Sequence, residues 1–527
     1  MNAVGVNAGS ILQGCNMWSC GDLCSASRSP RSSKVAALVL LALLCLAPPA
    51  CAARLVHQRK GVAPDTLRAW QSLLVQQTNA TTFEEAFGAT FDSGGGNSSR
   101  TLSQYNSLVQ WLIQSPNTAF AQIHELHNYA IREIVYDAVQ LANSPLNETA
   151  TLTVLDYLSS RLAQVSSRLG YPVARRVILG ALVKQRIERG PFSRPVQLQV
   201  DKLLLQLFQL HKKSIANKGA VQFFHISKSG GTNLCQSAET NGCQTESFGE
   251  RQNCMVRKFF DQPRWVATPE HKRVESRLTG KAAVSHPWFV NFQSDKRAQL
   301  GCAARWALLK EQGWNFYANE FTLPPGEQSL CKEFVNLLMF REPLARLSSQ
   351  ISWIQKLYKT LSGKERDIRK AFSDRSSAFW ERLLPAGVNN YYIRSLLGSQ
   401  YFEHPIKPID DSLVQQAKVQ VLLHDLLLTL ENKPFNDITL KVGLGWEFSL
   451  QDGNIRSSHD IADEITMPTD YELLKARNLP DVQVYKFARE LQALDVLLFN
   501  FVQLLDSKLG LQNLSTQQCG YVSLQAR

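Results

Sequence analysis

Zinc-type spacing is missing from this chain beyond residue 53. Among the six cysteines beyond residue 53 (Cys235, Cys243, Cys254, Cys302, Cys331 and Cys519) there is no C-x-x-C or C-x-x-H, which argues against a structural zinc module. Nor does a nucleic-acid motif accompany the formal net charge of +12, and the basic residues are scattered along the sequence. That charge predicts either a solvated basic surface or an anionic partner such as a nucleotide, an acidic glycan or a membrane, with nucleic acid disfavoured. Long apolar runs are scarce too. Only residues 35–53, VAALVLLALLCLAPPACAA, form an extended uncharged apolar stretch, preceded by Arg28, Arg31 and Lys34.

That stretch reads as a targeting segment. It is short beside the roughly 20 residues of a membrane span, and Pro48, Pro49 and the following Ala-Cys-Ala look like the end of a cleavable signal peptide, so anchor and signal peptide both stay open. Retained, it leaves residues 1–34 cytoplasmic; either way the remainder crosses the membrane. Four N-x-[ST] sequons, at Asn79, Asn97, Asn147 and Asn513, all follow it. The six later cysteines are an even set that permits three disulfides in an oxidising lumen, with fifteen connectivities open.

From about residue 64 to 213 apolar residues recur at three- and four-residue steps, as in IHELHNYAIREIVYDAVQLA, TLTVLDYLSSRLAQVSSRL and VQLQVDKLLLQLFQLHKK, and predict packed helices. DSGGGNSSR, 92–100, interrupts them as a flexible loop. His124 and His127 share a helical face there, but a metal needs more ligands. After HKKSIANKG the pattern changes to short apolar strands alternating with helices, which predicts an α/β fold with a parallel sheet. VQFFHI, EFVNLLMF (333–340) and HDLLLTLE (424–431) are the expected strands, and residues 481–505 a strongly periodic last helix. In REPLARLSSQISWIQKLYK, Pro343 suits a first helical turn, and Leu344, Leu347, Ile351, Ile354 and Leu357 form a stripe.

The segment FFHISKSGGTNLC, 223–235, runs from a strand through two glycines into a helix start. Backbone N–H groups at such a turn make an anion site, although glycines there also serve an ordinary turn. It is not a Walker A sequence, because Lys228 precedes Gly230 and Gly231. In open α/β sheets ligands sit at the carboxyl ends of strands, where both this loop and Arg341 after LLMF are expected.

FFHISKSGGTNL resembles the 5′-phosphosulfate loop of the sulfotransferases, notably the Golgi membrane-bound carbohydrate enzymes of the heparan-sulfate-sulfotransferase type. REPLARLSS resembles their 3′-phosphate motif, R-[DE]-P-x-x-R-x-x-S, with Arg341 and Ser349 in register. NNYYIRSLLG, LLLTLE with LGW, and DVQVYKFARELQALD are similar to later blocks, so the likeness spans roughly 218–506. It implies a P-loop-like α/β sulfotransferase domain with a parallel central sheet at 216–510; the helical region before it has no counterpart in the likeness, and its periodicity makes 54–215 an all-α luminal region, with 511–527 a tail. The implied co-substrate is 3′-phosphoadenosine 5′-phosphosulfate (PAPS), with no metal.

By the same resemblance Lys228 stabilises charge on the leaving nucleotide, while Ser229, Gly230, Gly231, Thr232 and Asn233 donate to the 5′-phosphate. Arg341 and Ser349 hold the 3′-phosphate. Alternatives stand for two of these: Arg341 pairs with Glu342 at the surface, or Ser349 faces the preceding turn of its helix. Removal of the acceptor's proton needs a base. Where one branch of the family has a histidine on the helix after the loop, this chain has Ser237. The candidates are therefore His286 in AAVSHPWFVNF, Glu239 and, third, Glu320 in YANEFTLP, with His225 read as a strand residue beneath the loop.

The implied acceptor is a carbohydrate hydroxyl, and Lys356, Lys359, Lys364, Arg366, Arg369 and Lys370 are candidates to steer an anionic polysaccharide. A protein tyrosine acceptor or a non-catalytic glycan-binding protein on the same fold are the rivals. Membrane attachment through residues 35–53 and a homo-oligomer complete the expected partners. The expected location is the Golgi membrane, as a single-pass type II protein with a luminal catalytic domain, or the lumen and beyond if residues 35–53 are cleaved.

Overall fold

The computed structural model describes residues 82–91, 107–112, 129–143, 147–165, 170–249, 253–280, 298–324, 330–360, 372, 374–403, 408–448, 450, 467–509 and 519–522. Residues 35–53, read above as a targeting segment, residues 92–100, read as a loop, His124, His127, His286 and the basic residues Lys364, Arg366, Arg369 and Lys370 lie outside them. Every described residue belongs to one compact unit, Ala69–Arg527.

Among the described residues the longer helices before the sheet are α1 (Thr82–Phe91), α2 (Tyr129–Asn143), α3 (Glu148–Leu162), α4 (Gly170–Arg189) and α5 (Arg194–Ala216). Helix α2 buries Ile131, Ile134, Val135, Ala138, Leu141 and Ala142, a stripe at helical spacing that faces the core. Helix α3 starts where Asn147 accepts a 2.8 Å bond from Ala150 N, satisfying an orphan donor of its first turn. Helix α4 is different. Residues 170–185 are buried all round, Arg175 and Arg176 included, so it has no polar face to mark it.

Beyond α5 the chain forms strand β1 (Ala220–His225), helix α6 (Gly231–Thr240), strands β2 (Phe316–Asn319) and β3 (Phe334–Phe340), and helix α7 (Pro343–Thr360). Helices α8 (Tyr391–Leu396) and α9 (Asp411–Leu423), strand β4 (Leu426–Thr429) and the long helix α10 (Leu479–Leu509) follow. The strands make one parallel sheet in the order β2-β1-β3-β4. Every strand residue is buried, as expected of a parallel sheet covered on both faces. From β1 the chain goes to one side of the sheet and from β3 to the other. The carboxyl ends of β1 and β3 therefore flank the crevice where open α/β sheets bind ligands.

Helix α10 packs on α1, α4, α5, α9 and β4, and one continuous apolar cluster runs from Phe83 to Val522. The helices of 82–216 thus share a core with the sheet. Inside it lies a charge network. Asp495 of α10 accepts from Arg175 Nε at 3.0 Å and from Arg176 Nη2 at 2.7 Å. Arg176 Nη1 also donates to Leu422 O and His424 O, and Arg175 Nη2 to Asp425 O. Lys218 completes it with a buried 2.5 Å pair to Asp425 Oδ1. His211 lies 2.7 Å from Arg175 Nη1; burial, with Arg175 adding repulsion, pushes its imidazole well below the usual range.

His424, at the end of α9, bonds Gln420 O through Nδ1. Burial, with Arg176 and Lys218 adding repulsion, pushes it down to about 3. The unfolded chain takes up this proton below about 6.5 and the folded chain does not, so the contribution of His424 to stability is intact above 6.5 and lost as pH falls toward 3. The stability of His424→Gln relative to wild type is therefore expected to improve by about 2 kcal/mol between pH 6.5 and 4.5. Urea unfolding at both pH values checks this; a pH-independent difference contradicts it.

All six later cysteines pair, as Cys235–Cys254, Cys243–Cys519 and Cys302–Cys331. The first ties α6 to the segment beside β2, where Met255 bridges Ala318. The second holds the C-terminal residues 519–522 against the far end of α6, with Cys519 N donating to Asn241 O.

Candidate functional site

The apolar run of β1 ends at His225, and five residues, Ile226–Gly230, turn the chain into α6. Lys228 and Gly230 take left-handed backbone angles, φ +70° and +88°. Glycine adopts that conformation freely; lysine does so only where its surroundings hold it. At Gly231 the limit is space, because a Cβ there would lie 1.9 Å from His225 Nε2. His225 therefore sits beneath the loop, as the strand pattern predicts. A methyl group at 231 must displace the buried ring, so Gly231→Ala is expected to cost about 1–3 kcal/mol, read as a lowered thermal midpoint. An unchanged midpoint would contradict this packing.

Arg341 follows β3 directly. Its Nη1 donates to Lys228 O at 3.2 Å, so the lysine turn and the arginine, distant in sequence, meet at the β1/β3 crevice. Glu342 does not pair with it. Instead its carboxylate accepts from Ala345 N at 2.6 Å, and its own N–H donates to Glu431 Oε1, which caps α7 ahead of Pro343. Helix α7 then buries Leu347, Ile351 and Ile354 fully and Leu344 and Leu357 in part. Lys228 Nζ lies over the Trp353 ring, 4.5 Å from its centroid. Ser349 is one turn before Trp353 on the same helix, half-buried, and the i,i+4 spacing puts it on the face that meets Lys228. The second arginine of the motif, Arg346, lies buried over Tyr391 and donates to Gly387 O.

The first-turn N–H groups of α6, from Gly231 and Thr232, have no acceptor within the helix and point with the helix dipole toward the crevice. Thr232 Oγ1 donates to Asn253 Oδ1 at 3.3 Å, and Asn233 N to Gly230 O at 3.1 Å. Ser229 is buried, its N–H bonded to Ile226 O. The crevice is braced from behind by α8, whose Tyr392 hydroxyl donates to Arg341 O at 2.5 Å. Buried Asp481 of α10 fixes α8 by accepting from Tyr392 N and Ile393 N, and burial raises its carboxyl to about 6.

The candidate bases separate in space. Glu239 is exposed on the last turn of α6, nine residues and about 13 Å along the axis from Gly230, and is not brought to the turn. Ser237, at the position of the family's histidine, is buried. Glu320 is brought there. It follows β2 immediately, one step beyond the last register pair Phe224–Asn319, and is buried against the turn. Its Oε1 accepts from Ser227 Oγ at 2.9 Å, and Oε2 lies 3.3 Å from Asn253 Nδ2 and 3.5 Å from His225 Nδ1. Trp353, Ser227, Asn253, Tyr391 and Tyr392 are site residues that motif reading passes over. The two tyrosines lie within NNYYIRSLLG, but nothing in that block shows what they touch.

Among the described residues no group of three or more His, Cys, Asp or Glu could hold a metal ion, and no helix is long and apolar enough to cross a membrane. Compared with family models, curated proteins and solved structures, the chain finds no match.

Proposed function

We propose that this chain is a sulfotransferase of P-loop-like fold that binds PAPS across the β1/β3 crevice and passes its sulfonyl group to a carbohydrate hydroxyl. The observation that carries this reading is the 3.2 Å bond from Arg341 to Lys228 O, because it joins the two motifs expected to hold opposite ends of one adenosine bisphosphate. Sulfuryl transfer is an in-line displacement in which negative charge grows on the bridging oxygen of the leaving nucleotide. Fixed positive charge and N–H donors at that oxygen lower the barrier. Lys228 supplies the charge, Gly231 and Thr232 the first-turn N–H groups, and Arg341 with Ser349 the grip on the 3′-phosphate. Glu320 takes the proton of the attacking hydroxyl.

The three disulfides favour an oxidising compartment, in keeping with a luminal, Golgi-type setting. The basic residues after α7 favour an anionic polysaccharide as acceptor. Purified protein given PAPS labelled in its sulfonate, with a panel of polysaccharides and tyrosine-containing peptides, should label a polysaccharide. Label only in the peptides would overturn the acceptor class, and donor left intact with every acceptor would overturn the enzyme.

A further inference from the structure

Ser227 precedes Lys228, and its Oγ is where three side chains from distant segments meet. Trp265 Nε1 lies 3.1 Å away, Tyr391 Oη 2.9 Å and Glu320 Oε1 2.9 Å. Ser227 is 0 % exposed and Glu320 4 %, so these bonds are made away from bulk water. A hydroxyl has one hydrogen and two lone pairs. The indole N–H can only donate, which uses one lone pair. An ionised carboxylate can only accept, which claims the hydrogen. Tyr391 is left to donate to the second lone pair, and with Glu320 ionised no other arrangement satisfies all four groups.

We propose that Ser227 is a positioning residue, committed by Trp265 and Tyr391 to donate to Glu320 Oε1 and thereby presenting Oε2 as the oxygen that removes the acceptor's proton. The role in transfer rests on the sulfotransferase reading; the direction of the hydrogen bonds does not. Oε1 is held by the shorter bond, whereas among the described residues Oε2 has the longer contacts to Asn253 Nδ2 and His225 Nδ1, so more of its electron density is available to a proton. In the step itself the acceptor O–H breaks as Oε2–H forms. The acceptor oxygen bonds to sulfur, and the sulfur–oxygen bond to the nucleotide breaks with its electron pair going to the 5′-phosphate. Asn253 is aimed by a second constraint: Thr232 Oγ1 bonds its Oδ1, turning Nδ2 toward Glu320, while the adjacent Cys254 is tied to Cys235 of α6.

The test is a double-substitution cycle of Ser227→Ala and Glu320→Gln in the full chain, with Ser227→Thr as the conservative variant. In urea unfolding the two substitutions should be non-additive, since Ser227→Ala removes the donor of the bond and Glu320→Gln the charge that strengthens it; additive effects would overturn the bond and the proposal with it. With labelled PAPS and the polysaccharide that accepts it, Ser227→Ala should lower kcat about ten- to a hundredfold. The apparent KM for PAPS and the affinity for adenosine 3′,5′-bisphosphate should stay at wild-type values, and Ser227→Thr should restore most of kcat. In the Glu320→Gln background Ser227→Ala should change kcat little. Failure of threonine to rescue, or a parallel loss of nucleotide affinity, would reduce Ser227 to a packing residue. Wild-type protein that binds no adenosine 3′,5′-bisphosphate would instead overturn the sulfotransferase reading and leave the unfolding cycle to judge the hydrogen bonds.

Discussion

Lys228→Ala is expected to lower sulfonate transfer by about 10²–10³-fold, the scale for removing one preorganised donor to a developing negative charge, while donor affinity falls only modestly. The asymmetry follows from where the charge grows. On the proposed reading the bridging oxygen of the bound donor carries little charge, so Lys228 would stabilise the transition state more than the ground state, and its loss would lower kcat. The ammonium rests over Trp353, an attraction that holds it in place without neutralising it. Arg341→Ala should behave in the opposite way. On the proposed reading its fork meets a phosphate charged alike in donor and product, so losing it should cost about 1.5–3 kcal/mol of binding, read as a raised KM for PAPS with kcat less affected. The carboxylate-free partner of Arg341, Lys228 O, also loses its donor, so some kcat loss accompanies it. Wild-type rates in both variants would contradict the assignment.

Asp495→Asn is expected to destabilise the fold by about 3–5 kcal/mol, because it leaves Arg175 and Arg176 buried without their shared counter-charge. That is a large part of the 5–15 kcal/mol by which native domains are stable. Burial already pulls Arg176 below the usual arginine range, with Asp495 holding it up. Asparagine keeps the shape and some of the hydrogen bonds but not the charge. Arg176 also donates to the carbonyls of Leu422 and His424 just before β4, so the damage should reach the sheet, and the helices of 82–216 should not unfold separately. A single shifted transition, seen alike by far-ultraviolet circular dichroism and tryptophan fluorescence, is the expected result. Two separated transitions, or a loss below about 1 kcal/mol, would contradict the shared core.

The sequence made some of this visible and hid the rest for physical reasons. Strands β1, β3 and β4 are mostly apolar runs, broken only by Gln222 and His225 in β1, Asn336 in β3 and Thr429 in β4, close to the pattern of a strand buried on both faces, and each lies within two residues of its expected position. Strand β2, FYAN, is as short as β4 but lacks the aliphatic run that marks LLLT. Helix α4 escaped because it is buried all round and its arginines read as surface; their partner Asp495 lies 320 residues beyond Arg175.

At the site, Lys228, Arg341 and Ser349 were legible because motif spacing encodes them. Glu239 was drawn in by nearness in sequence to the loop, whereas Glu320, 93 residues from Ser227, reaches the turn only through the pairing of β1 with β2. Trp353 is twelve residues past Arg341 and belongs to the site because three turns of α7 carry it back over Lys228.

The most direct test of the central claim is calorimetric titration of adenosine 3′,5′-bisphosphate into the wild-type chain and Arg341→Ala. Saturable binding by wild type that the substitution weakens about tenfold or more is the predicted result. Absence of saturable binding, or equal affinity in the two proteins, would mean that the lysine turn and the arginine do not grasp one nucleotide.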